Sequence, residues 1–243
     1  MAMMASALVS CQKDDDGKNN GKDDNGGDEP SVTLRIKSYS LVGDGWADVY
    51  QYSYNADGKV SKVYREEEKQ WNFAYDGNDV TVTDHEGATV YEMTLNADGL
   101  VTSMVEGENE YTYEYNADGR MTKVSQNGNV TSNAVIQDGC MTKWSRFENG
   151  PEEFKVQTFT STPNTCGIHS VYCEKQSGLS QWLMETGLFG KGSAYLVETT
   201  RWEGAEEVGE YTYEFDENGA VIAEHKAYPG WPEEFEYSWE VVE

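Results

Sequence analysis

From Trp46 onward, apolar and polar residues alternate with a period of two. Tyr50, Tyr52 and Tyr54 fall on one face, with Gln51 and Ser53 on the other. Trp71, Phe73 and Tyr75 oppose Asn72 and Ala74, and Tyr111, Tyr113 and Tyr115 oppose Thr112 and Glu114. Tyr211, Tyr213 and Phe215 oppose Thr212 and Glu214, and Phe235, Tyr237 and Trp239 oppose Glu236 and Ser238. Side chains of a strand point alternately to its two faces, so this pattern predicts strands and leaves little room for helix. One aromatic face and one polar face mean an antiparallel sheet covered on one side.

The strands are joined by a repeated turn. Tyr52-Ser-Tyr54-Asn55-Ala56-Asp57-Gly58 recurs as Tyr113-Glu-Tyr115-Asn116-Ala117-Asp118-Gly119. Further copies are Asn96-Ala97-Asp98-Gly99 and Asp216-Glu217-Asn218-Gly219, with degenerate ones at Asp76-Gly77-Asn78 and Asp138-Gly139. Asn or Asp opens such a turn by capping backbone N–H groups, and Gly closes it where φ is positive. That is the three-residue hairpin loop with a Gly bulge. Counting runs between turns gives roughly sixteen short strands from Val32 to Val242. The expected fold is therefore all-β: an antiparallel meander curled into a barrel-like, soluble sheet that hides its aromatic face and its edges. A barrel of that strand number has an open lumen, which the 30 aromatic residues can fill or line. A membrane-spanning barrel is disfavoured, because it needs strands of about nine to eleven residues with an apolar outer band. Most strands here read as shorter, with Glu and Lys on the polar face.

One stretch breaks the period. Gln176–Gly190 places Leu179, Trp182, Leu183 and Leu188 at the spacing of a short helical turn. The expectation is a plug or cap for the curl of the sheet, with a ligand lid as the alternative.

The N-terminus belongs to a different kind of chain. Leu8-Val9-Ser10-Cys11 follows a short apolar stretch and resembles the bacterial lipoprotein signal, in which the Cys takes the lipid as a thioether. The stretch lacks a basic n-region, so residues 1–11 read as a signal remnant ending in the lipidation Cys11. Residues 12–31 are dominated by Asp, Asn, Gly and Lys, with no apolar residue between Lys13 and Asp28, and read as a disordered acidic tether. Gln12-Lys13-Asp14-Asp15-Asp16 also resembles the acidic export signal of Bacteroidetes surface lipoproteins. The single β-domain then spans 32–243.

Composition narrows the function classes. The chain of 243 residues has a net charge of −26, which argues against nucleic-acid binding and against adhesion to anionic lipid. The tail to Pro30 carries seven acids and three bases, which leaves −22 on the domain. That acidity falls on the face opposite the aromatics, as at Glu114, Glu214 and Glu236, where it keeps a long meander soluble.

With the turns and the tail in view, the Tyr-x-Tyr-Asn-Ala-Asp-Gly units look like YD repeats. Residues 32–243 resemble DUF4595, a Bacteroidetes lipoprotein family of unknown function with a porin-like fold. The family's C-terminal pattern is met by Gly187-Leu-Phe-Gly190-Lys-Gly-Ser193, then by Tyr211–Gly219 and the last strand. Tyr195-Leu196-Val197 stands where the family pattern has a Leu-Pro pair. The resemblance implies a fold and supplies no activity.

Chemistry is sparse. The acid pairs Glu152-Glu153, Glu206-Glu207 and Glu233-Glu234 read as solvated faces, although a glycosidase needs two positioned carboxylates. His85, His169 and His225 are too scattered for a metal cluster or a triad, so no metal, cofactor or catalytic residue is expected. Cys166 and Cys173 are a candidate disulfide, and Cys140 reads as buried. Trp46, Trp144, Trp182, Trp202 and Trp231 fall near strand ends or loops and are the candidate platforms for stacking sugar rings. The functional expectation is a lipid-anchored outer-membrane protein facing the cell exterior, or the periplasm as the alternative. It would act as a non-catalytic binding module for polysaccharide. The runner-up is a structural or adhesion protein that binds another protein, and a glycan-active enzyme comes third. The membrane is expected to be touched through the N-terminal lipid alone.

Overall fold

A computed structural model describes residues 33–43, 46–65, 69–147, 152–169, 179–227 and 232–242. Sixteen strands follow one another along the chain. They are β1 (Thr33–Gly43), β2 (Trp46–Tyr54), β3 (Val60–Arg65), β4 (Lys69–Asp76), β5 (Asp79–Thr83) and β6 (Thr89–Leu95). Next come β7 (Val101–Glu106), β8 (Asn109–Tyr115), β9 (Met121–Gln126), β10 (Asn129–Gln137) and β11 (Cys140–Arg146). The last are β12 (Glu153–Pro163), β13 (Tyr195–Trp202), β14 (Gly209–Phe215), β15 (Val221–Ala227) and β16 (Glu233–Val242). Each pairs antiparallel with its sequence neighbours, and β16 pairs with β1 to close the barrel. Closure removes both sheet edges, which a meander of this length could not leave open without inviting aggregation.

The hairpins beginning with β2–β3 and continuing through β14–β15 turn at one end, the upper rim, where β1 also starts and β16 ends. The remaining connections turn at the lower rim. The repeated turn is built as its residues require. The Oδ1 of Asn96 accepts the amides of Asp98 and Leu100, both at 2.9 Å. Asn55, Asn116 and Asp216 do the same at the upper rim, and Asp84 at the lower. Gly58 closes its turn at φ 76°, a left-handed conformation that favours glycine.

The aromatic face points inward. Tyr52, Phe73, Tyr111, Tyr113 and Tyr237 are buried, while Gln51, Ala74, Thr112, Glu114 and Glu236 are exposed. Phe215 departs from the expected face and is 43% exposed. It is the last residue of β14 and pairs with the buried Val221, so its exposure comes with its place at the rim.

Sixteen strands enclose more space than wall side chains can fill. The excursion between β12 and β13 fills it, and its described parts are 164–169 and 179–194. It contains the helical turn α1 (Gln181–Met184) and places Leu179, Trp182, Leu183, Leu188 and Phe189 in the core. Trp182 stacks on Trp71 at 4.3 Å between ring centroids and on Tyr50 at 6.1 Å. Phe189 meets Tyr113 edge-on at 5.3 Å. The plug is also tied to the wall through its backbone. Tyr52 OH donates to Trp182 O at 2.8 Å, the Val101 amide to Leu188 O at 2.9 Å, and the Lys191 amide to Gly119 O at 3.0 Å.

Candidate functional site

A cavity of about 90 Å³ lies between the plug and the wall at the upper rim, bordered by β1, β2, β3 and β16. Its chemically distinctive lining is Arg35, Tyr54, Lys59, His169, Glu185 and Trp239. Smaller cavities of about 40 and about 20 Å³ continue along the other side of the plug, and His169 lines all three.

The two rings on the wall are locked in place. Tyr54 OH donates to Ile36 O at 2.5 Å, and Trp239 Nε1 donates to Val221 O at 2.7 Å. Both bonds tie a side chain to a neighbouring strand's backbone, so each ring keeps one orientation. Arg35 packs over the Tyr54 ring at 4.2 Å and pairs through Nε with Glu240 Oε1 at 2.5 Å. The Lys59 backbone is held in the Asn55 turn, and its ammonium lies 4.9 Å from the Tyr75 centroid.

The plug contributes two titratable groups. Glu185 follows α1, and its Oε1 accepts from Gln181 Nε2 at 2.6 Å and from the His169 amide at 3.2 Å. Burial pushes its carboxyl up to about 8, and these two hydrogen bonds offset only part of that; the charge of Glu224 adds to the rise. Glu185 is therefore a neutral acid at pH 7, able to donate a proton as well as accept one. Burial pushes the His169 imidazole down to about 4, so it is neutral as well. Glu224 is fully buried on β15 and faces the lumen beside Tyr213 and Phe235. Together with Glu185 it raises Tyr237, where burial has the larger effect.

The candidate tryptophans do not form one surface. Trp182 is buried in the lumen against Trp71, and Trp144 is buried within the wall, so neither is an open platform. A wide lumen needs large rings to fill it, and Trp182 is one of them. Trp144 and Trp202 do meet, edge-on at 5.5 Å, near the lower rim. Arg146 lies over the Trp202 ring at 4.2 Å and Lys155 at 5.5 Å. Trp46 is 52% exposed at the start of β2. Trp231, Cys173 and Cys11 lie outside the described residues. Cys166 is buried in the plug and lines the cavity, and Cys140 is buried at the start of β11.

No local pattern in the sequence marks Arg35, Tyr54, Lys59 or Trp239 as lining a cavity. One signal for Glu185 was available. It is the single charged residue from Leu179 to Gly190, in a segment already read as a plug. Among the described residues, no group of three His, Cys, Asp or Glu side chains is placed to hold a metal ion.

The comparisons agree with this architecture. Residues 65–223 match a domain of unknown function with porin-like fold, DUF4595. A crystal structure of a porin-like protein from Bacteroides uniformis superposes with a TM-score of 0.70 at 19% identity, covering 84% of this chain and 98% of that one. A second, from Bacteroides vulgatus, gives 0.56 at 12% identity, covering 85% and 99%. At these identities the likeness is one of fold. No curated protein matches the chain.

Proposed function

From the premise that the chain belongs to the DUF4595 family, with its porin-like fold, we propose that it is a non-catalytic binding module of the cell envelope. It is anchored by lipid at Cys11, exposed at the outer-membrane surface, and takes a polysaccharide end into the upper-rim cavity. The observation that carries this reading is the cavity itself. Two locked aromatic rings, Tyr54 and Trp239, line it together with several hydrogen-bonding side chains, and such a lining fits a sugar ring.

The rest of the molecule supports the reading. The plug occupies the lumen, so the barrel is not built as an open conduit. Exposed Glu110, Glu114, Glu210, Glu214 and Glu236 stud the outer wall, where a lipid-embedded barrel would carry an apolar band. A polar wall of this kind stands in water and needs a separate anchor. Catalysis is disfavoured because Glu224, the acid acting on Glu185, is wholly enclosed and cannot flank a bound glycosidic bond.

Glycan-array binding of the full chain tests the site. Trp239→Leu should abolish binding and Trp202→Ala should leave it unchanged. Binding that depends on Trp202 instead would move the site to the lower rim, and no binding to any glycan would remove the reading. Labelling with palmitate should be lost in Cys11→Ser; equal labelling of parent and variant would remove the anchor.

A further inference from the structure

We propose that the upper-rim cavity selects a sugar that carries an anionic group, with Arg35 and Lys59 taking the anion and the Tyr54 and Trp239 rings facing the sugar. The inference rests on the sugar-binding reading and adds the class of sugar. The outer wall of this acidic chain repels anions, but the cavity is lined differently. Two of its lining side chains, Arg35 and Lys59, are cations, and their packing over Tyr54 and Tyr75 fixes where each stem runs. Glu240 balances Arg35, whereas among the described residues no carboxylate pairs with Lys59, whose charge is left to attract a ligand. An anion approaching Arg35 would also compete with Glu240 for the guanidinium, whose planar fork suits carboxylate and phosphate alike.

Glu185 decides whether such a ligand is tolerated. Its carboxyl lines the same cavity and is held by Gln181 and by the backbone of His169. The groups around it are His169 on the plug, Tyr52 and Tyr54 on β2, Glu224 on β15, Tyr237 on β16, and Arg35 with Glu240 beyond Tyr54. While it keeps its proton, Glu185 is a donor and adds no negative charge. Once ionised, it repels the anion. Binding should therefore weaken as pH rises past about 8, and His169, held down at about 4, stays neutral over that range.

Calorimetric titration of the full chain with methyl glucuronoside, glucose 6-phosphate and methyl glucoside tests this. At pH 6.5 the glucuronoside should bind at least tenfold tighter than the glucoside, and Lys59→Met should erase most of that ratio. At pH 9 glucuronoside binding should be about tenfold weaker in the parent, the fraction set by ionisation around 8. It should be far less pH-dependent in Glu185→Gln, a change of nearly equal size and shape. Glucose 6-phosphate binding tighter than glucuronoside would support the proposal with phosphate as the anion. Equal binding of glucuronoside and glucoside would overturn anion selection and leave sugar binding standing. No binding of any of the three would overturn both.

Discussion

Strands β4 to β9 and the plug bury comparable side chains by different means. In the strands each buried ring is specified by its immediate neighbours. Tyr111 and Tyr113 point inward because Thr112 lies between them and points out, and Asn116 and Gly119 close the next turn through bonds inside it. The plug has no such local rule. Trp182 is buried because Trp71 and Tyr50 wait for it across the lumen, and Leu188 because Val101 donates to its carbonyl. A wall stabilised locally should tolerate loss of one turn, whereas a plug stabilised by distant contacts should fail at single positions.

The largest effect is expected at Trp182→Ala, which should cost about 3–5 kcal/mol in chemical denaturation. Hydrogen exchange should show whether the plug loosens alone. The Val101 and Lys191 amides, which bond across the plug seam, should lose protection while those of β5 and β6 keep theirs. Uniform loss would mean that wall and plug form one cooperative unit.

Gly190→Ala comes next, at about 2 kcal/mol or more, because φ is +93° and a Cβ would lie 2.4 Å from Gly119 O. It should lower the same two amides. A neutral outcome would mean that the plug can shift away from the β8–β9 turn.

The third effect is pH dependence, read as the difference between parent and Glu185→Gln. Folding raises Glu185 from an ordinary 4.5 to about 8, so the folded state holds a proton that the unfolded chain has released. Stability from this group therefore falls as pH rises from 4.5 to 8, by at most about 1.4 kcal/mol per pH unit. His169 runs the other way. It falls from 6.5 to about 4, so stability is lost as pH drops through that interval. The two slopes oppose each other below 6.5, and from 6.5 to 8 the Glu185 slope stands alone. A parent curve no steeper than that of Glu185→Gln in that window would show that the carboxyl is not held protonated.

The turn variant Asn96→Ala should cost about 1 kcal/mol, since two capping bonds go but the hairpin's ladder stays. The smallest effect is expected at the exposed Trp46→Ala, within about 0.5 kcal/mol by thermal melting. A loss there as large as at Trp182 would undo the contrast between local and distant support.

The division between what could and could not be read from the chain follows the same line. Strands, turns and inward faces were legible, because a period of two and an Asn-Ala-Asp-Gly turn act over a few residues. The plug was legible as an interruption of that period. The site was not. Arg35, Lys59, Glu185 and Trp239 lie on four segments far apart in sequence, and nothing local marks them as partners. Trp182 shows the opposite error: a large aromatic in a connecting segment resembles a platform until the width of the lumen is known.

Sequence alone determined an all-β meander, its turn chemistry and its acidic outer face, because each rests on interactions between near neighbours. Tertiary structure decided that β16 meets β1, that the β12–β13 excursion enters the lumen, and that an acid there keeps its proton. Those outcomes depend on the closed circumference of sixteen strands and on the volume it leaves to be filled, which no short stretch of the chain encodes.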